Sequence, residues 1–142
     1  MKKLGRKDFL SLRDFSREEL DTILRVAAEQ KPLARAFRLP ASHPGRVLAC
    51  IFHKPSLRTR LSFEVAIRQL GGSSLFITDK EIGLESREAP RDVGQVISRY
   101  VDAIMIRTFK QSLVEELARN ASVPVINGLT DLLHPCQVLG DI

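Results

Sequence analysis

What the 142 residues have little of narrows the choices first. There is no tryptophan, one tyrosine, and only two cysteines, Cys50 and Cys136. Neither cysteine has C-x-x-C or metal-ligand spacing, so a disulfide framework and a zinc site are both unsupported. That usage fits a reducing compartment, and a cytoplasmic location is expected. No apolar run approaches the roughly 18 residues of a membrane span, so no membrane partner is expected. The N-terminal "MKKLGRKDF" is basic but has no apolar core or cleavage-like site, unlike a signal peptide. Neither G-x-x-x-x-G-K-[ST] nor G-x-G-x-x-G occurs, which removes the ordinary nucleotide loops. The net charge of +5 is spread along the chain rather than gathered into a stripe with interleaved aromatics. Nucleic acid is therefore not expected as a partner.

What is present is one domain's worth of chain, 44% hydrophobic. Of its 22 basic residues, 15 are arginine, whose planar fork suits phosphate and carboxylate. "FSREELDTILRVAAEQ" predicts a helix with a Ser16/Glu19 capping box, fading near Lys31-Pro32. "VLACIF" is a short continuous apolar run, the pattern of a strand buried on both faces. Phe63, Ala66, Ile67 and Leu70 then mark one helix face, stopped by Gly71-Gly72. "SSLFIT" predicts a second strand, followed by the polar loop "DKEIGLESREAP". Pro90 suits the first turn of a helix whose buried face is expected at Val93, Val96, Ile97 and Tyr100. "DAIMIRTF" predicts a third strand. Ser112 and Glu115 suggest a capping box opening the next helix, and "SVPVINGL" predicts a fourth strand. Pro135 is placed to begin a last helix.

Strands alternating with helices predict an α/β fold: three layers, α-β-α, around a four-stranded, mainly parallel sheet with helices on both faces. Ligands of such sheets bind outside the carboxyl ends of the strands. That edge should gather Ser56, Arg58, Thr59 and Arg60 after strand one and Lys80 and Glu81 after strand two. Arg107 should close strand three, with His134 and Gln137 after strand four. Ser56 at a helix start, with two arginines in the first turn, has the chemistry of an anion cradle. The same residues are also compatible with a capping serine and solvated arginines. His53 is expected to be structural, and Cys136 has no partner that would make it a nucleophile.

"SLRTRLSFE", "SRYVDAIMIRTF", "VPVINGLTD" and "HPCQ" together resemble the carbamoyl-phosphate domain of the aspartate/ornithine carbamoyltransferases, the ornithine branch more than the aspartate branch. The likeness runs from about Asp8 to the last residue. It implies that Ser56, the backbone at Leu57, Arg58 and Thr59 hold the phosphate of carbamoyl phosphate. Arg107 would bridge phosphate and carbonyl oxygen, His134 would bond that oxygen, and Gln137 the carbamoyl nitrogen. Arg60 and Glu64 would brace the site from behind. The implied reaction passes the carbamoyl group to the δ-amine of L-ornithine, giving citrulline and phosphate in arginine biosynthesis. It needs neither metal nor cofactor. The resemblance further implies a homotrimer and a second, amino-acid-binding domain. Residues 1–142 are then expected to be the first domain alone, binding carbamoyl phosphate weakly with little turnover. The remaining alternatives are another acceptor (aspartate, acetylornithine or putrescine) and a non-catalytic phosphate-binding module. Leu57 stands where that family usually has Thr, His53 where it often has an acidic residue, and Glu85 where it often has Gly.

Overall fold

The computed structural model describes residues 4–142. Four strands form its sheet: β1 (Val47–Phe52), β2 (Ser73–Thr78), β3 (Ala103–Arg107) and β4 (Val125–Leu129). Their order is β2-β1-β3-β4, and every pairing is parallel. The helices are α1 (Arg17–Arg35), α2 (Leu57–Gln69), α3 (Asp79–Ile82), α4 (Pro90–Ile97), α5 (Gln111–Asn120) and α6 (Pro135–Gly140). The chain leaves β1 for β2 on one side and returns to β3 on the other. The sheet therefore has its topological switch point between β1 and β3, where their carboxyl ends open a crevice.

Alternation along β1 and β3 sends side chains to two cores, one on each face. Ala49, Ile51, Ile104 and Ile106 join Val125 beneath α4 and α5, with Leu113, Val114 and Leu117 from the latter. Leu48, Cys50, Phe52 and Met105 lie on the opposite face, covered by Phe63 and Ile67 of α2. Layers on both faces are what the continuous apolar run of β1 requires. The N-terminal segment finishes the β4 edge. The Phe9 N–H donates to Val125 O at 2.8 Å, and Asn127 N–H donates to Phe9 O at 2.8 Å. Lys7 Nζ donates to Ala118 O and Ala121 O, placing a cation on the last carbonyls of α5. No helix among the described residues is long and apolar enough to cross a membrane.

The capping box at α1 forms, with Ser16 Oγ accepting from Glu19 N–H and Glu19 accepting from Ser16 N–H. Four expectations need correction. Helix α1 passes Pro32 and ends at Arg35. The bond Pro32 cannot make would go to Ala28, an exposed residue whose carbonyl has water as an alternative partner. Ser112 does not cap α5. That helix begins one residue earlier, at Gln111, whose Oε1 is held by Thr130 Oγ1 and Asn127 Nδ2. The polar loop after β2 contains the one-turn helix α3, buried through Ile82. On α4, Val96 is 52% and Tyr100 76% exposed, so the buried face is Val93, Gly94 and Ile97 instead.

Gly94 explains that shift. A Cβ there would sit 2.8 Å from Leu117 O on α5. The glycine lets two helix backbones close over the sheet, and larger neighbours rotate outward. Gly94→Ala is expected to destabilise the fold. Overpacking costs about 1–3 kcal/mol, more than the roughly 1 kcal/mol by which Ala favours a helix. A lower urea midpoint is the expected result, and an unchanged or higher one would show that α4 and α5 do not depend on this approach.

Candidate active site at the carboxyl edge

Ser56 has extended backbone dihedrals and serves as N-cap of α2, its Oγ accepting from Thr59 N–H at 3.3 Å. The same hydroxyl donates to Thr59 Oγ1 at 3.0 Å. Arg107 Nη1, from the end of β3, donates to Thr59 Oγ1 at 3.2 Å. Residues 48 positions apart are thus joined through one hydroxyl because β1 and β3 are neighbours, with Phe52 opposite Arg107. The first-turn N–H groups of α2 at Leu57 and Arg58 have no acceptor within the helix, and its positive end faces the crevice.

A cleft of about 300 Å³ opens between α2 and α6. Arg58, Thr59, Ser62 and Phe63 line one wall, and His134, Cys136 and Gln137 the other. His134 is the N-cap of α6, in a non-helical conformation, with Pro135 at the first helical position. Its Nδ1 is buried without a partner among the described residues, as is Arg107 Nε. Burial first, and then the nearby Arg107 cation, hold the His134 pKa below its ordinary value. That shift favours the neutral imidazole at pH 7. Gln137 Nε2 donates to Asp141 Oδ1 at 2.8 Å, which leaves its amide oxygen without a partner among the described residues. Two unpartnered polar atoms, a helix N-terminus and two arginines outside any ion pair among the described residues make a site short of negative charge and of acceptors.

Ser56 and Arg107 adjoin the cleft through Thr59 Oγ1 rather than line it, and the other expected residues fall outside it. The Leu57 side chain is 73% exposed, so that residue can offer the site only its backbone. Arg60 pairs with Glu64 at 3.0 Å and lies 3.6 Å over the Phe76 ring, bracing α2 against β2. Glu81 is spent on capping α3 through Thr78, and Lys80 is exposed at the same turn. Burial raises the thiol pKa of Cys50 to about 12 and of Cys136 to about 11, so neither is a thiolate. The sequence reading missed Ser62 and Phe63 as cleft residues. Their signal was available in helical spacing, since both lie within one turn of Thr59.

The model of the family described as "Aspartate/ornithine carbamoyltransferase, carbamoyl-P binding domain" matches residues 7–142. A protein named ornithine carbamoyltransferase from Symbiobacterium thermophilum is 49% identical over 142 residues, covering 100% of this chain and 46% of that protein. One of the same name from Pelobacter propionicus is 51% identical over 136 residues, 96% of this chain and 45% of its own length. The solved ornithine carbamoyltransferase from Pyrococcus furiosus superposes with a TM-score of 0.94 at 45% identity, covering 99% of this chain and 45% of that one. This chain spans somewhat under half the length of the relatives it matches. A crevice at the β1/β3 switch point lined by arginines, and a match over almost every residue, lead to one assignment: the chain belongs to the aspartate/ornithine carbamoyltransferase family, over the region of its carbamoyl-phosphate-binding domain.

Proposed function

We propose that residues 1–142 are the carbamoyl-phosphate-binding domain of an ornithine carbamoyltransferase whose amino-acid-binding domain lies outside this sequence. The observation that carries the reading is the meeting of the α2 N-terminus, Arg107 and neutral His134, with Arg107 Nε and His134 Nδ1 both unpartnered. In this assignment the phosphate lies on Ser56, the Leu57 N–H, Arg58 and Thr59. Arg107 spans phosphate and carbonyl oxygen. His134 bonds the carbonyl oxygen and Gln137 the carbamoyl nitrogen through its amide oxygen.

The δ-amine of ornithine, in its neutral form, attacks the carbamoyl carbon. A C–N bond forms, negative charge builds on the carbonyl oxygen, and the C–O bond to phosphate then breaks as the departing phosphate takes up the amine's proton. Arg107, Arg58 and the α2 N-terminus stabilise both the oxyanion and the departing phosphate. Fixed donors need no reorganisation during the step, and holding both substrates in line removes much of the entropic cost. No thiol takes part, because both stay protonated. The product would be citrulline, in arginine biosynthesis, and the two free thiols fit a cytoplasmic enzyme. A homotrimer is part of this reading. It is supported by an apolar stripe on α2, where Leu57, Leu61 and Val65 are 73%, 50% and 48% exposed at four-residue spacing. The second reading is another acceptor amine, since the family description spans both aspartate and ornithine enzymes.

Calorimetry with carbamoyl phosphate and inorganic phosphate tests the site. Carbamoyl phosphate should bind more tightly. Arg58→Ala should weaken both ligands by roughly 10–150-fold, the range for hydrogen bonds to a charged group. His134→Ala should weaken carbamoyl phosphate alone. Equal affinity for the two ligands, unmoved by either substitution, would remove the carbamoyl site. The 142-residue chain should form little citrulline. Turnover at the rate of an intact enzyme would show that the acceptor site does not need a second domain. A pH series follows from the lowered His134 pKa. The unfolded chain takes up that proton first, so native stability should fall as pH drops through about 6.5 and level once folded His134 is also protonated. Urea midpoints of His134→Asn should show a smaller fall over that window than the unsubstituted chain.

A further inference from the structure

His53 follows β1 and precedes the cradle by three residues, and from that loop its imidazole reaches the loops after β2 and β3 at once. Its backbone N–H donates to Arg107 O at 2.9 Å, extending the β1–β3 ladder by one residue. Nδ1 lies 2.9 Å from Thr108 Oγ1, past the end of β3. Nε2 lies 3.6 Å from Asp79 Oδ1, at the start of the loop after β2. That same oxygen accepts from Leu84 N–H at 3.0 Å, tying the loop's buried residue to the contact. The ring meets Phe109 edge-on at 5.2 Å. The charged groups around it are mostly paired elsewhere: Lys54 with Asp131 at 2.9 Å and over the Phe109 ring, and Lys110 with Glu85 at 2.9 Å.

Threonine, histidine and aspartate in a row have the order of a hydrolytic triad. Thr108 is fully buried, however, so no substrate reaches its hydroxyl. We propose instead that His53 is a positioning residue for the anion cradle, resting on the reading of the site above. It fixes the distance between the α2 N-terminus and Arg107 while anchoring the β2 loop beside them. One tautomer satisfies every contact. With Nε2–H facing the Asp79 carboxylate, Nδ1 is free to accept from the Thr108 hydroxyl. The opposite tautomer sets a lone pair against the carboxylate. Of the two neutral tautomers, Nε2–H is therefore the one that fits both side-chain contacts.

The tautomer is read directly from imidazole 15N shifts of the folded chain at pH 7.5, with His43 and His134 assigned by substitution. His53 should show the Nε2–H pattern, and an Nδ1–H pattern overturns the proposal. Amide exchange then tests the action at a distance. In His53→Ala, exchange at Thr59 and Leu84 should rise at least tenfold relative to Ile104 in β3. His53→Asn, which can keep the Thr108 contact, should restore Thr59 more than Leu84. A general loss of stability would move Ile104 equally, which counts against positioning. Carbamoyl-phosphate affinity should fall at least fivefold in His53→Ala with the chain still folded, and unchanged affinity with unchanged Thr59 exchange also overturns it. If the unsubstituted chain binds no carbamoyl phosphate, the functional reading fails, and Thr59 exchange alone decides the role of His53.

Discussion

The parallel pairing of β1 with β3 is the constraint on which the carboxyl edge depends. It sets Phe52 opposite Arg107, and so brings the turn that follows β1 to the last residue of β3. From that adjacency Thr59 Oγ1 can receive Arg107 Nη1 while also receiving Ser56 Oγ. Had β3 been laid beside β2 instead, Arg107 would stand two strand spacings from the cradle, about 10 Å. The apolar alternation of β1 and β3 thus serves both core and site. It buries two layers, and it holds the strands rigidly enough to fix a hydrogen bond between residues far apart in sequence.

The electrostatics follow from what is paired and what is left over. Arg60 is neutralised by Glu64 and flattened on Phe76, and Lys54 and Lys110 are matched by Asp131 and Glu85. Arg58 and Arg107 have no such partner among the described residues, and both sit at the positive end of α2. Burial first, and then the Arg107 charge, hold the His134 pKa below its ordinary value. Cations and unpartnered donors held together in this way favour an anionic neighbour over a cationic one.

Much of this was legible in the sequence because the signals were local. The Ser16/Glu19 box, Pro90 and Pro135 at first helical positions, and the short apolar runs each depend on a few neighbouring residues. The misreadings share the opposite property. The start of α5 is decided by Gln111 accepting from Asn127 and Thr130, which lie on and just past β4. The buried face of α4 is decided by how closely Gly94 approaches Leu117 O on another helix. The cradle was visible as residue types. That Leu57 turns its side chain out and that Arg107 grips Thr59 were not, because those are facts of sheet order.

The loop after β2 shows what the sequence resemblance can and cannot carry. Glu85 has a φ of +63°, in the left-handed region where glycine has no steric cost. A left-handed non-glycine residue costs about 1–2 kcal/mol, and Glu85 has an offsetting contact, since its carboxylate reaches Lys110 at the N-cap of α5. A second contact holds the same loop through Asp79 and His53. Both unusual residues, Glu85 and His53, therefore act on one segment and tie it to the loops after β1 and β3. The two contacts share one backbone segment, the arrangement in which substitutions at neighbouring sites cease to be additive.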